Sequence, residues 1–257
     1  MRVLGIETAT AWGSVAVAGP GGTLAERSAH VPGGHLEWLI PAIDDLLAAS
    51  HLTRADVEGL AVSIGPGGFT GLRIGVATAA AWAHAMVRPL AGVSTLEAIA
   101  AGVEESGLVL ATLDARRGEV AAALFTRDDG AAGVERLTDD LLLTPGAIRD
   151  HLGRCGRVII AGDALERHAA VLLGALGPDA VAAPRDWWWP RAAVTGRLGR
   201  ARLLRGDRDD PIGLVPRYAH RRIAREFAPP RGGGGTPPRG PERESHDVGP
   251  VPGDGLR

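Results

Sequence analysis

Apolar and polar positions follow a short period through the first thirty residues and then change to a helical one. Val3–Thr8 is apolar and ends on Glu7-Thr8; Ser14–Ala18 alternates around Val15 and Val17; Thr23–Ala29 follows the turn Gly19-Pro20-Gly21-Gly22. Two successive hairpins predict an antiparallel start to a sheet. From His35 to Ala49 the apolar residues Leu36, Leu39, Ile40, Ile43, Leu46 and Leu47 mark one face of a helix, with Glu37, Asp44 and Asp45 off that stripe and Pro41 expected to bend it. Val57–Ile64 reads as a buried strand running into Gly65-Pro66-Gly67-Gly68-Phe69-Thr70-Gly71, and Leu72–Val87 as an Ala- and Gly-rich helix. Leu90–Val93 is a short strand, and Ser94-Thr95-Leu96-Glu97 has the form of a capping box opening a helix over Thr95–Glu104. Three antiparallel strands followed by two strand–helix units predict a ribonuclease-H-like lobe.

The pattern then restarts. Val109–Asp114 and Glu119–Thr126 read as strands joined by Ala115-Arg116-Arg117-Gly118. Helices are expected over Thr144–Leu152, Ala164–Leu176 and Arg191–Arg205, with a strand at Arg157–Ala161 that ends on Gly162-Asp163. This second half has fewer predicted strands and reads as a degenerate second lobe. The expected division is an N-terminal lobe over 1–104, a C-terminal lobe over 105–227, and a Gly/Pro-rich tail over 228–257. That tail has almost nothing apolar to offset its ordering entropy and is expected to be disordered.

Composition narrows the chemistry. The chain of 257 residues is 45% hydrophobic with a mean hydropathy of +0.06, as a globular protein is, and its formal net charge of −2 gives no global field for nucleic acid. It contains no lysine, which removes a catalytic-lysine mechanism, and a single cysteine, Cys155, which excludes an intramolecular disulfide or a multi-cysteine zinc site. The first residues gain charge too early for a signal peptide and no apolar run reaches membrane-spanning length, so the expected compartment is the cytoplasm, with no membrane partner.

Three places carry candidate chemistry. The strand–glycine turn–helix at Val62–Val76 places free N–H groups at a helix start, with Thr70 as the expected N-cap and Arg73 in the first turn; Gly67 and Gly68 allow close approach of an anion. Close packing of that helix is served equally well by the same glycines, and the missing lysine excludes a P-loop. Glu7 and Thr8 at the first strand end would suit a hydrated metal or a phosphate, or simply be solvated. Asp114 and Arg117 sit at a hairpin tip able to close over an anion or to form local ion pairs. His30 and His35, five apart across Pro-Gly-Gly, give no helical metal spacing, and His35 is expected to cap its helix. The remaining histidines form no Ser/His/Asp order.

Taken together, Leu4-Gly5-Ile6-Glu7-Thr8-Ala9-Thr10, Ser14–Val17, His35, Gly65–Gly75, Gly92–Leu96 and Asp114–Val120 resemble the TsaB (YeaZ) family, the bacterial paralogues of the transferase TsaD, over about residues 1–125. The resemblance implies a two-lobed actin-like ATPase (sugar kinase/Hsp70/actin) fold. It implies a non-catalytic, activating subunit of the complex that forms N6-threonylcarbamoyladenosine at position 37 of tRNAs reading codons that begin with A. The implied partners are a TsaD-like transferase in a heterodimer and a TsaE-like ATPase, with tRNA reached through the complex and a homodimer when free. The catalytic paralogues hold a metal through a His-x-x-x-His pair, and no such pair occurs in the first two hundred residues. The family usually has Asp where this chain has Glu7, which weakens the expectation of a metal–nucleotide site there.

On this reading the partner interface is formed by Leu36, Leu39, Ile40, Ile43, Leu72, Gly75, Val76, Ala79, Ala80 and Ala83, unless both helices bury those faces in their own sheet. Nucleotide or anion candidates are Glu7, Thr8, Gly67, Gly68, Thr70, Arg73, Asp114 and Arg117, with weak ATP or ADP binding between the lobes or at the TsaD interface and no cofactor required by the chain itself. The rival expectation is an independent ATPase or sugar-kinase-like enzyme of the same fold.

Overall fold

The computed structural model describes residues 1–128, 133–153 and 155–218. The tail over 228–257 and the end of the expected C-terminal lobe, 219–227, lie outside the described residues. The first sheet contains β1 (Val3–Glu7), β2 (Trp12–Gly19), β3 (Gly22–His30), β4 (Gly59–Gly65) and β5 (Leu90–Ser94), in the order β3-β2-β1-β4-β5. The β1–β2 and β2–β3 pairs are antiparallel, and β1–β4 and β4–β5 are parallel. Helices α1 (His35–Ala49) and α2 (Phe69–Ala85) lie on one face. Leu39, Ile43 and Val76 there meet Leu4, Ile6, Val15, Leu60 and Val62 of the strands in the largest apolar cluster. Pro41 is tolerated within α1 because it lies on the exposed side.

The second sheet contains β6 (Gly107–Arg116), β7 (Glu119–Arg127), β8 (Glu135–Arg136), β9 (Leu141–Leu143), β10 (Val158–Ala161) and β11 (Ala180–Ala182). Its order is β11-β10-β6-β7-β8, with β9 also paired to β7. Matching β6 to β1, β7 to β2, β10 to β4 and β11 to β5 reproduces the order and the strand directions of the first sheet. The expectation of fewer strands is therefore corrected: β8 has two residues and β9 and β11 three each, too short to show a period in sequence. The lobe is reduced in strand length and keeps its topology. Helices α4 (Ile148–Leu152) and α5 (Leu165–Leu176) cover one face of this sheet through Ile148, Leu152, Leu165 and Leu172.

The other faces are covered by exchange. Helix α3 (Thr95–Gly102), in the N-terminal part of the chain, packs Leu96, Ile99 and Ala100 against Val109, Ala111, Ala121 and Phe125 of the second sheet. Its start is capped as expected, with the Ser94 hydroxyl accepting from the Glu97 N–H at 3.5 Å. Helix α6 (Ala192–Leu204), near the end of the described chain, returns to the back of the first sheet, where Leu203 meets Val3, Ala61 and Ala91. Small residues make this approach close: Gly196 and Gly199 lie directly over Gly5 and Ala61. A boundary at 104 thus separates the strands of the lobes, while the helices cross it in both directions.

From α6 the chain continues along the edge of the first sheet. Asp209 accepts from the Gly92 N–H at 2.7 Å, and the Arg217 N–H donates to the Ile64 carbonyl at 2.6 Å. Tyr218 ends the described chain stacked on Phe69, with ring centroids 5.2 Å apart. No helix among the described residues is long and apolar enough to cross a membrane.

Candidate functional site

A cleft of about 690 Å³ opens between the lobes. One wall is the end of β1 and the start of α2 (Thr8, Gly67, Gly68, Thr70); the other is the end of β6 with the start of α5 (Asp114, Asp163, Glu166). Both walls come from strand ends because the two sheets have the same topology, and strands β1 and β6 occupy equivalent places in it.

The glycine turn is built first for packing. The Thr8 hydroxyl donates to the Gly71 carbonyl at 2.8 Å, and a Cβ on Gly71 or Gly75 would overlap Thr8 itself. Gly71 and Gly75, four apart on one face of α2, let that helix rest on the end of β1. The Gly68 N–H is taken by the Ala9 carbonyl at 2.7 Å. Helix α2 starts at Phe69 with Gly68 as N-cap and no side-chain cap, so the expected capping by Thr70 is corrected: Thr70 is exposed inside the first turn and lines the cleft. Similarly α1 is capped by Gly34, and His35 is its first residue, buried beside the cleft.

Glu7 does not reach the cleft. It is fully buried and accepts from the Ala9 N–H at 2.9 Å, from the Ser63 hydroxyl and from the Thr195 hydroxyl at 3.2 Å. Burial raises its pKa above the ordinary carboxylate range against the opposing effect of these hydrogen bonds. Glu7 therefore ties β1 to β4 and α6, and the expectation that it binds a nucleotide is corrected on that ground. Arg73 is also elsewhere: its guanidinium lies 3.8 Å from the Phe69 ring centroid and its Nε donates to the Tyr218 hydroxyl at 3.0 Å. Arg117 is exposed at the tip of the β6–β7 hairpin, and its neighbour Arg116 lines the cleft in its place.

Asp114 does line the cleft, together with Asp163, which the sequence reading left without a role. The Asp163 carboxylate accepts from the Asp114 N–H at 2.8 Å. Its pKa is pushed up to about 6 by burial, with the nearby charges of Asp114 and Glu166 adding to the effect and that hydrogen bond opposing it. Arg167 at 3.6 Å and Arg116 at 3.8 Å face the Asp114 carboxylate. Gly162 precedes Asp163 with φ of +131°, and a Cβ there would overlap the Thr112 carbonyl, so only glycine turns the chain this close to β6. Its position after a predicted strand was the available signal for Asp163. Among the described residues, no three His, Cys, Asp or Glu side chains come together as a metal site.

The interface candidates divide sharply. Leu39, Ile43, Leu72, Gly75, Val76, Ala79 and Ala83 are buried within this chain's own core, because they form the inward faces of α1 and α2. That corrects their placement on a partner surface. Leu36 and Ile40 are exposed and Ala80 is half-buried. The outward face they share also exposes Ala77 and Ala81, small residues that suit a close helix approach, and Ala85 and Met86, which sequence reasoning missed because α2 is apolar nearly all round. Ile40, Ala77, Ala81, Trp82, Ala85 and Met86 line a shallow apolar groove of about 540 Å³ there.

Two lobes of one ribonuclease-H-like topology, joined around a cleft, define a protein of the actin-like ATPase fold class. The solved structure of YeaZ from Pseudomonas aeruginosa matches with a TM-score of 0.73 over 85% of this chain and 99% of its own, at 24% identity, a likeness of fold. Residues 20–139 match the family model of TsaD, tRNA N6-adenosine threonylcarbamoyltransferase. The tRNA threonylcarbamoyladenosine biosynthesis protein TsaB of Escherichia coli is 40% identical over 132 residues, 50% of this chain and 57% of that protein. Its Bacillus subtilis namesake is 28% identical over 220 residues, 85% of this chain and 93% of its own length. An uncharacterised Mycobacterium leprae protein is 43% identical over 122 residues, 46% of this chain and 33% of that protein. The chain thus spans from a third to little more than half the length of several curated relatives it matches. The chain is thus similar to TsaB (YeaZ) proteins in sequence and in fold.

Proposed function

We propose that this chain acts in the cytoplasm in forming N6-threonylcarbamoyladenosine at position 37 of tRNAs that read codons beginning with A. It serves there as a non-catalytic, activating subunit that dimerises with a TsaD-like transferase. A TsaE-like ATPase joins the pair, tRNA is reached through the complex, and the free chain pairs with itself. The names carried by the E. coli and B. subtilis relatives support the pathway. The observation that carries the assembly role is the outward face of α1 and α2. Leu36 is 67% exposed and Ile40 45%, and Ile40 lines a groove whose alanines let a second helix approach closely.

Co-purification with the TsaD-like protein of the same organism tests this. Ala81→Arg and Ile40→Asp should abolish the heterodimer while leaving the melting temperature of the free chain within a few degrees. A heterodimer that survives both substitutions, or full modification activity in a reconstituted system lacking this chain, would refute the reading.

The interlobe cleft favours a second reading, an independent ATPase or sugar-kinase-like enzyme. The arginines of its far wall are already paired with carboxylates and the Gly68 N–H is already engaged, so ATP or ADP would bind weakly there or at the TsaD interface. The first reading requires no cofactor of the chain itself. ATP turnover by the purified chain, abolished by Asp114→Asn with Asp163→Asn, would favour the second reading.

A further inference from the structure

Two tryptophans at the cleft stand apart from the cores. Trp38, Trp82, Trp187 and Trp188 pack against the apolar clusters, whereas Trp12 and Trp189 are in none of them. Trp12 begins β2, Trp189 lies on the approach to α6, and both are half-buried residues of the cleft lining. Their ring centroids are 5.5 Å apart at an interplanar angle of 47°, so neither ring covers the other face to face. His30 lies 5.4 Å from Trp12, also tilted, and the Arg185 guanidinium lies 5.6 Å from the Trp189 centroid.

Keeping two large aromatic rings half in water forgoes part of the burial free energy that a tryptophan can contribute. A planar partner would recover it. A second observation concerns the same space: His35, a cleft residue only 5% exposed whose imidazole interacts with the Thr10 and Trp12 backbone, has a buried Nε2 without a hydrogen-bond partner at normal bonding distance. Such a nitrogen costs free energy unless something supplies the missing bond. The cavity of about 690 Å³ has room for a nucleoside, and on its other wall Asp114 faces Arg116 and Arg167 while Glu166 pairs with Arg185, so its charges largely compensate. Flat aromatic faces, polar edges and little net charge suit a base better than a phosphate chain.

We infer that the Trp12–Trp189 pair is a stacking site for an unpaired nucleobase, either a free nucleoside or one nucleotide of a single-stranded RNA. This does not depend on pairing through α1 and α2. Stacking on an aromatic side chain contributes about 1–3 kcal/mol per base, equivalent to roughly five- to 150-fold in affinity.

The test uses the full chain with two probes: adenosine followed by calorimetry, and a fluorescein-labelled ten-nucleotide oligoadenylate followed by anisotropy. Trp12→Ala and Trp189→Ala should each weaken binding at least fivefold, and Trp12→Phe, which keeps a ring, should retain most of it. Tighter binding of the oligonucleotide identifies an RNA strand as the source of the base; equal or better binding of adenosine identifies a free nucleoside. In the unsubstituted chain, a 2-aminopurine placed in the oligonucleotide, or 2-aminopurine riboside alone, should lose fluorescence on binding as it stacks. That measurement stands even if the alanine variants fail to fold. Absence of saturable binding by both probes, or binding without 2-aminopurine quenching and unchanged in folded Trp12→Ala and Trp189→Ala chains, would overturn the proposal.

Discussion

The hydroxyl of Thr8 donates to the carbonyl of Gly71 at 2.8 Å, joining the end of β1 to the first turn of α2 across 63 positions of sequence. Gly75, one turn further on, has no room for a Cβ because the same hydroxyl occupies it. Gly75→Ala should therefore destabilise the chain by about 1–3 kcal/mol, as overpacking does. In a Thr8→Ala background the obstructing oxygen is gone and the same substitution should cost less. Urea unfolding of the four chains measures the coupling, and additivity within about 0.3 kcal/mol would show that the two residues do not compete for this space.

Asp163 makes stability depend on pH in a stated direction. Its folded pKa of about 6 lies above the usual aspartate value, so the folded chain holds the proton more tightly. The associated stability is fully present below the unfolded pKa and is lost as pH rises through about 6. Asp163→Asn should raise stability at pH 8 by up to about 3 kcal/mol, converting the shift at 1.36 kcal/mol per unit, and the difference should vanish near pH 4. Thermal melts across that range give the result.

Glu7 follows the same sign at the base of β1. Burial raises its pKa, and the stability held by the protonated carboxyl is lost as pH rises through the folded value. Glu7→Gln keeps groups able to bond Ser63, Thr195 and Ala9 while removing the charge. Its melting temperature should exceed that of the unsubstituted chain at pH 8, with the margin narrowing toward pH 4. A lower melting temperature at every pH would mean that the charged form is the one this site holds.

The two faces of α2 should respond oppositely to the same change. Ala79 is fully buried, and Ala79→Arg should cost at least about 3 kcal/mol by forcing an unpaired charge into the core. Ala81 is exposed, and Ala81→Arg should change the stability of the isolated chain by less than about 0.5 kcal/mol. Denaturant midpoints of the two variants separate them.

At the β6–β7 hairpin, Arg117 and Gly118 have φ of +53° and +77°. This is the left-handed pair that a two-residue hairpin turn requires, and asparagine tolerates it better than arginine. Arg117→Asn should stabilise by about 0.5–1 kcal/mol, read as a rise in melting temperature without change in the urea slope.

The long elements were legible in sequence because α1 buries one stripe and β1 and β2 are buried apolar runs bounded by turn residues. The α1 stripe and the β1–β2–β3 meander stand within a few residues of where their patterns place them. Strands β8, β9 and β11 left no signal, since two or three residues cannot show alternation. The faces of α2 were confused because alanine occupies both its buried position 79 and its exposed position 81. Glu7 was assigned to the cleft from its place at a strand end, yet the groups that bury it, Ser63 and Thr195, lie 56 and 188 positions away. Asp163 and Trp189 acquire their setting from tertiary contacts, which local patterning does not encode.

The return of α6 to the first sheet has a consequence during synthesis. Val3, Ala61 and Ala91 wait for Leu203, and the Glu7 carboxyl waits for the hydroxyl of Thr195. The lobe that leaves the ribosome first can thus be finished only after nearly all the described chain has emerged. In the interval its uncovered back surface is apolar, and it is there that a nascent chain of this protein is most exposed to chaperones and to aggregation.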